Sequence, residues 1–301
     1  MNKPCYLTTG DKIRIISPAG NVSVEKTEQG IEILRNEGFE VQIGNYVFDR
    51  FFQFAGTDEL RFADLQESLD DERCKAIICS RGGYGTIRLI SRLDFSKFCK
   101  NPKWLVGFSD ITVLHSILQG LGFCSIHGAM PGFYSKEGVK TQSYIELIKI
   151  LTGKDSSYVT VPHNEKNREG TAIGEVVGGN LSIFYSLLGT PLELDTSHKI
   201  LFIEDIGEYL YHIDRMMWSL KLAGKLENLA GLVVGGFSDT KDNGSPFGQA
   251  VEDIVMNVVK EYRYPVCFDF PAGHIDVNLP LVLGANYSLE VGENVKFSKL
   301  A

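Results

Sequence analysis

The sequence predicts an α/β protein in which a doubly wound parallel sheet is followed by a second, mixed α/β domain. Two observations predict this class. Short, continuous apolar runs recur along the chain, as is typical of strands buried on both faces of a sheet. Helix-length segments separate these runs, and strands that alternate with helices indicate right-handed parallel crossovers.

In the first half, five apolar runs are predicted to be strands, over residues 13–17, 41–43, 76–79, 104–107 and 123–126. Each run is short enough to be a strand, and turn residues follow it. We therefore expect a five-stranded layer of the flavodoxin-like type in residues 1–150.

The second half has the same alternation, followed by a different ending. Strands are expected over residues 173–177, 200–203 and 231–234, and helices over 181–188, 211–222 and 249–261. Four further runs, at 266–268, 281–283, 287–291 and 295–297, are predicted to be short antiparallel strands. The polar stretch before the strand at 173–177 predicts a linker over residues 151–170. Residues 171–301 are then the second domain.

Composition excludes several classes of protein. The chain has 301 residues and a formal net charge of -8, without the basic footprint of a nucleic-acid or anionic-membrane binder. The N-terminus lacks an apolar signal core, which leads us to expect a cytoplasmic protein. The six cysteines are scattered without a C-x-x-C pair, so we expect reduced thiols, no disulfide and no metal site.

Ser109 is the strongest candidate nucleophile. It stands between the apolar run 104–107 and an amphipathic helix-like run, where a hydroxyl projects from the sheet edge and helix N–H groups can stabilise an oxyanion. Serine is also a favoured helix N-cap, and that role alone would explain it. Ile111 also departs from the G-x-S-x-G pattern, in which a small residue eases the turn.

The tetrapeptide Gly-Phe-Ser-Asp occurs twice, at 107–110 and 236–239. A flexible polar turn follows Ser238, so this second serine lacks the helix dipole and N–H donors expected behind Ser109. We therefore expect Ser109 rather than Ser238 to be the nucleophile.

A nucleophilic serine needs a base, and the base needs an orienting acceptor. Among six histidines, His127 ends a strand, and His274 lies in a stiff loop with glycine and two prolines; a satisfied loop histidine remains an equal alternative. For the acceptor we favour Glu204 at the end of a buried strand. Asp205 and Glu208 have the alternative of stabilising a helix N-terminus.

Two glycine-rich turns complete the set of candidates. One of them is the segment Arg81-Gly82-Gly83-Tyr84-Gly85, which matches neither the dinucleotide-binding nor the Walker pattern and therefore gives little support for a phosphate-binding loop. Its Gly83 is a candidate for the second backbone donor of an oxyanion hole. Asn180 precedes a predicted helix, where capping is the simpler explanation.

These segments together resemble the LD-carboxypeptidase family of serine peptidases, over nearly the whole chain. The resemblance is carried by residues 10–13 with 17–18, 81–85, 107–112, 178–181, 202–205, and 273–274 with 278–280. It implies that Ser109 is the nucleophile, His274 the general base and Glu204 the residue that orients the imidazole. It also implies an oxyanion hole of the N–H groups of Gly83 and Asp110, while Arg81 and Asn180 are candidate substrate contacts.

The reaction implied by the resemblance releases the terminal D-alanine from a murein tetrapeptide during peptidoglycan recycling, without a cofactor. Expected partners are a muropeptide or small peptide substrate and a second copy of the chain in a homodimer, but no nucleic acid or membrane. A related branch cleaves peptide–nucleotide antibiotics of the microcin type, and it is the first alternative. A ligand-binding protein on the same fold, with Ser109 only a helix cap, is the second.

Overall fold

The computed structural model describes residues 1–154, 158–161 and 163–300. The chain divides into two compact units: the first comprises Met1–Ser156 and Leu279–Val282, and the second comprises Ser157–Asn278 and Leu283–Ala301. Both units contain strands and helices, as the sequence predicts.

The strands are numbered along the chain as β1 (Lys12–Ile16), β2 (Glu40–Ile43), β3 (Cys74–Cys79), β4 (Trp104–Gly107), β5 (Ser125–His127), β6 (Ser135–Lys136), β7 (Val139–Lys140), β8 (Tyr158–Val161), β9 (Gly170–Asn180), β10 (Ile200–Ile206), β11 (Gly231–Ser238), β12 (Val266–Cys267), β13 (Leu281–Leu283), β14 (Asn286–Val291) and β15 (Val295–Lys299). The α-helices are α1 (Val24–Asn36), α2 (Asp58–Asp70), α3 (Ser96–Lys100), α4 (Thr112–Gly120), α5 (Gln142–Leu151), α6 (Leu181–Ser186), α7 (Leu210–Leu222) and α8 (Val251–Val258).

The sheet of the first unit has the order β13-β5-β4-β3-β1-β2. Its run from β2 to β5 is parallel and has the 2-1-3-4-5 order of the flavodoxin-like fold, which confirms the predicted class. This order reverses between β1 and β3. The loops that follow β1, β3 and β4 therefore all begin at the carboxyl ends of these parallel strands, next to the point where ligands bind in such folds.

The sheet has one strand more than the five we expected. β13, which we expected to be an antiparallel strand of the second domain, is the neighbour of β5 in the first sheet. A run of three buried apolar residues can extend the edge of any available sheet, because its pattern indicates burial but not the partner.

The sheet of the second unit has the order β12-β11-β10-β9-β14-β15-β8. The first four strands are parallel, and β14, β15 and β8 continue the sheet in antiparallel pairs. We expected an antiparallel strand at 266–268, and this was wrong. β12 pairs in parallel with β11 because α8 lies between them in the chain and returns it as a crossover connection.

The predicted linker, residues 151–170, includes β8, which pairs with β15. Residues 155–157 and 162 of that segment, like residue 301, lie outside the described residues. Among the helices in the described ranges, none combines the length and the apolar character needed to cross a bilayer.

Candidate active site

Ser109 lies where a buried strand turns into a helix. After β4, Phe108 is extended, and a 3-10 turn over Ser109–Ile111 leads directly into α4. Ser109 has a φ of +66°, in the left-handed region. A residue with a side chain in this region costs on the order of 1–2 kcal/mol, and such strained residues concentrate at functional sites. Ser109 is half-buried, between the buried residues Phe108 and Asp110.

Gly107 makes the tight turn compatible with a bulky residue after the serine. A β-carbon on Gly107 would lie 2.9 Å from Cγ1 and 3.0 Å from Cγ2 of Ile111. The isoleucine side chain therefore occupies the space that a side chain at position 107 would need. Ile111 stands where the G-x-S-x-G pattern has its second glycine, and its side chain fits there because Gly107 has no β-carbon.

The glycine-rich loop after β3 packs directly against Ser109. A β-carbon on Gly82 would lie 2.7 Å from Cβ and 2.9 Å from Oγ of Ser109. The carbonyl of Gly82 in turn accepts the N–H of Gly20, from the loop after β1, at 3.0 Å. The loops after β1, β3 and β4 are thus in contact at the point where the strand order reverses.

Asp110 fixes the far end of the same loop. Its carboxylate is 1% exposed and accepts the backbone N–H of Thr86 at 2.8 Å. Burial raises the pKa of Asp110, while the hydrogen bonds from Thr86 and the charge of Arg61 act in the opposite direction. The side chain therefore has a structural duty, and only the backbone N–H of Asp110 is available as a candidate oxyanion donor, since the first N–H groups of a helix lack intrahelical partners.

Gly83, the other candidate donor, has a φ of +108° that favours glycine. Among the residues that the structure describes, no protein atom accepts its N–H. Arg81, the candidate substrate contact beside it, is exposed, and its Nη1 donates to the carbonyl of Asn21 at 2.6 Å.

Two histidines close to Ser109 in sequence are part of the core. His115 is fully buried in α4, with Nδ1 2.8 Å from Oγ of Ser125 and Nε2 3.0 Å from the carbonyl of Gly107. Burial lowers the pKa of His115 to about 4. His127 is also fully buried, and its ring contacts Phe108 with centroids 5.8 Å apart. Neither imidazole is available to solvent in the way that a proton-transfer group requires.

In the second unit, Glu204 and His274 form a direct pair. Oε2 of Glu204 lies 2.7 Å from Nδ1 of His274 and 3.2 Å from its backbone nitrogen. Glu204 is completely buried in β10, whereas the His274 side chain is 15% exposed. Because a carboxylate only accepts, the hydrogen of the ring is assigned to Nδ1, and Nε2 is the acceptor of the neutral imidazole.

The loop that carries His274 is shaped around Glu204. Gly273 has a φ of +111°, and a β-carbon there would lie 2.7 Å from both Cβ and Oε2 of the glutamate. Its N–H donates to Oδ1 of the buried Asn278 at 2.9 Å. A glycine is therefore needed next to the histidine both for its conformation and for its close approach to the carboxylate.

Asn180 and Asp205 surround the other side of Glu204. Nδ2 of Asn180 donates to Oε1 of Glu204 at 3.3 Å and to Oδ1 of Asp205 at 3.0 Å. Oδ1 of Asn180 also caps α6 by accepting the N–H of Ile183 at 3.2 Å. Burial raises the pKa of Asp205 to about 6, helped by the charge of Glu204 and opposed by hydrogen bonds from backbone N–H groups. One of these N–H groups is that of Ser182, at 2.8 Å.

The three candidate carboxylates therefore have different duties. Glu204 contacts His274, as its position at the end of a rigid strand led us to expect. Asp205 does stabilise a helix N-terminus, but the helix is α6, which precedes it, rather than α7, which follows. Glu208 lies 2.5 Å from Nδ1 of His212 in a partly exposed pair.

The sequence of each unit matches a model of the same protein family. The LD-carboxypeptidase N-terminal domain matches residues 13–128, and the LD-carboxypeptidase C-terminal domain matches residues 173–289. The chain belongs to the LD-carboxypeptidase family. This membership confirms the predicted resemblance and makes the protein a serine-type carboxypeptidase, which is a hydrolase.

The similar proteins include carboxypeptidases that are named for murein peptides. A probable murein peptide carboxypeptidase of Bacillus subtilis is 35% identical over 97% of this chain and 92% of its own length. The crystal structure of muramoyltetrapeptide carboxypeptidase from Oxalobacter formigenes has 30% identity and a TM-score of 0.85, over 96% of this chain and 99% of that one. The microcin C7 self-immunity protein MccF, solved with aspartyl sulfamoyl adenosine, has a TM-score of 0.88 at 22% identity, over 99% and 98% of the two chains, and shares the fold.

In this LD-carboxypeptidase the predicted site residues form two groups, one in each unit. Ser109, Asp110 and the loop with Arg81 and Gly83 are together in the first unit, and Glu204, His274 and Asn180 are together in the second. Gly82 and Asn278 lie in motifs that the sequence already showed, but no role was predicted for either of them, and the contacts of Ser238 were not predicted. Nothing near Ser238 in sequence indicates its partner.

Proposed function

We propose that this enzyme hydrolyses the L,D bond that releases the terminal D-alanine from murein tetrapeptides, with Ser109 as nucleophile, His274 as general base and Glu204 as its orienting acceptor. The observation that carries the proposal is the Glu204–His274 pair, in which a fully buried carboxylate assigns the Nδ1–H tautomer and leaves Nε2 to accept a proton. The left-handed backbone of Ser109 at a strand-to-helix turn supports its role as the nucleophile.

In this mechanism Oγ of Ser109 attacks the carbonyl carbon between the diamino acid and D-alanine, while Nε2 of His274 takes the hydroxyl proton. The imidazolium is stabilised by Glu204 and then returns the proton to the departing amine of D-alanine. Water attacks the resulting acyl-enzyme with His274 again as base, and this step releases the shortened peptide and restores Ser109.

The tetrahedral intermediates carry a negative oxygen that needs preorganised donors. The backbone N–H groups of Gly83 and Asp110 are proposed for this role, because Asp110 directly follows Ser109 and Gly83 directly follows Gly82, which packs against Ser109. Arg81 and Asn180 are proposed as substrate contacts. Arg81 is the exposed cation of the same loop, and Asn180 bridges the carboxylates beside His274.

The substrate class is proposed from the relatives. The Bacillus subtilis relative is named for murein peptides, and the Oxalobacter formigenes structure is named for the muramoyl tetrapeptide. A peptide–nucleotide substrate of the microcin type rests on likeness of fold alone. We further propose action in the cytoplasm during peptidoglycan recycling, and a homodimer, which light scattering of the purified protein would measure directly.

The proposal is tested by mass-spectrometric detection of D-alanine released from L-Ala-γ-D-Glu-diaminopimelate-D-Ala. Wild type should release D-alanine, and the variants Ser109→Ala and His274→Ala should lower kcat by about 10⁴-fold or more. Ser245→Ala is the matched control, because Ser245 is exposed in a loop of the second unit.

A serine-reactive acylating probe separates catalysis from mere binding. Labelling should disappear in Ser109→Ala and persist in Ser245→Ala. Release of no D-alanine together with labelling of Ser109 would favour a different peptide substrate, including a peptide–nucleotide. Absence of both would favour a ligand-binding protein and contradict the proposal.

A further inference from the structure

The end of β11 runs beside the loop that carries His274. The N–H of Phe270 donates to the carbonyl of Val234 at 3.1 Å, and the N–H of Gly236 donates to the carbonyl of Ala272 at 2.9 Å. A parallel bridge then joins Gly236 and Gly273. The loop is thus held like an additional strand up to the residue before the histidine.

The next attachment comes from a side chain. The hydroxyl of Ser238 donates to the backbone carbonyl of His274 at 2.8 Å. On the other side of the same residue, Oε2 of Glu204 is the acceptor for the backbone N–H and for Nδ1. Both polar groups of the His274 backbone are therefore fixed, one by Ser238 and one by the carboxylate that the ring contacts.

Ser238 is also tied to the strand of Glu204. It pairs with Ile206 in the register of β10 and β11, and its carbonyl accepts the N–H of Gly207 at 2.9 Å. One residue thus connects the strand that carries the glutamate with the loop that carries the histidine. We propose that Ser238 is a positioning residue that acts through His274, keeping the imidazole aligned with Glu204 by holding the histidine backbone in place.

This role contrasts with that of the serine in the identical tetrapeptide around Ser109. In the first copy the backbone of Ser109 has the left-handed conformation, with a φ of +66°, and a helix follows. In the second copy the left-handed residue is Asp239, with a φ of +50°, and Ser238 remains in the strand. Its hydroxyl is used in a bond to a backbone carbonyl, which is a structural task and not that of a nucleophile.

The inference rests on the proposed role of His274, and its test measures kcat and KM for D-alanine release in Ser238→Ala and Ser238→Thr. Loss of one hydrogen bond should lower kcat of the alanine variant about 5- to 10-fold. KM should stay within about twofold, because an interaction that matters only in the transition state lowers kcat and not binding. The threonine variant keeps the hydroxyl and should recover most of the rate, while Ser245→Ala should match wild type.

A second measurement does not depend on turnover. The far-downfield NMR resonance of the His274 Nδ1 proton, assigned by its loss in His274→Ala, should be present in wild type and Ser238→Thr and broadened or shifted in Ser238→Ala. An unchanged kcat in Ser238→Ala, or equal losses of kcat in the alanine and threonine variants, would overturn the inference. If wild type releases no D-alanine, the proposed function fails, and the resonance alone decides whether Ser238 positions His274.

Discussion

Gly82 and Ser109 approach each other so closely that a β-carbon on the glycine would lie 2.7 Å from Cβ of the serine. Real β-carbons essentially never come that near another carbon, so any other residue at position 82 must displace the serine or the loop. The glycine at position 82, in a segment that matches neither nucleotide-binding pattern, is thus explained by the proximity of Ser109. This relationship couples the glycine-rich loop to the geometry of the proposed nucleophile.

The variant Gly82→Ala should therefore lose activity without unfolding. We expect kcat/KM for D-alanine release to fall about 100-fold, because displacement of a reacting group by about 1 Å costs that much. Gly120→Ala is the control, since a β-carbon at the end of α4 meets no atom within 4 Å. Equal kcat/KM values in the two variants would show that the Gly82 contact does not constrain Ser109.

Gly273→Ala tests the other half of the proposed site. The new β-carbon would lie 2.7 Å from Cβ and Oε2 of Glu204, in a backbone conformation with φ +111°. We expect a loss of kcat/KM of about 100-fold or more and a lower thermal midpoint, since the strained conformation costs on the order of 1–3 kcal/mol. Gly292→Ala, which meets no atom within 4 Å, should keep both quantities at wild-type values.

The contact between Gly107 and Ile111 predicts a coupled pair of substitutions. Gly107→Ala places a β-carbon 2.9 Å from Cγ1 of Ile111 and should destabilise by about 1–3 kcal/mol through overpacking. Adding Ile111→Ala removes the opposing side chain, so the double variant should be more stable than the sum of the single effects predicts. Urea unfolding of all four proteins measures this coupling, and strict additivity would contradict it.

His115 predicts a loss of stability in acid. Its pKa is lowered from 6.5 to about 4 by burial, so the unfolded chain binds a proton at a higher pH than the folded protein does. The contribution is complete above about pH 6.5 and is lost as the pH falls towards 4. Between pH 7 and pH 4 wild type should lose roughly 3 kcal/mol more unfolding free energy than His115→Gln. A constant difference between the two proteins would be evidence against a neutral buried imidazole.

Asp205 predicts the opposite slope. Its folded pKa of about 6 lies above the ordinary value of 3.8, so the folded protein holds this proton more tightly. Its contribution to stability is complete below about pH 3.8 and is lost as the pH rises through 6. Relative to Asp205→Asn, wild type should lose roughly 2 kcal/mol of unfolding free energy between pH 4 and pH 7, measured by urea titration at each pH. An increase over that range would reverse the assigned sign.

Sequence patterns located most elements because burial leaves a local signature. The apolar run at 104–107 coincides with β4, and the ends of β1, β2 and β3 differ from expectation by one or two residues. Which strands pair with each other was harder to predict, as the position of β13 beside β5 illustrates. A three-residue run contains too little information to select a sheet far away in the chain.

Sequence patterns alone were enough to predict the α/β class, the parallel layer of β1 to β5 and the candidates Ser109, Glu204 and His274, because these depend on local periodicity and on recognisable motifs. Three contacts became visible only in the folded chain: the bond between Glu204 and the backbone N–H of His274, the packing of Gly82 against Ser109, and the bond from Ser238 to the histidine loop. These contacts join residues from different strands and loops. Their distances are set by sheet register and packing, which no short stretch of sequence encodes.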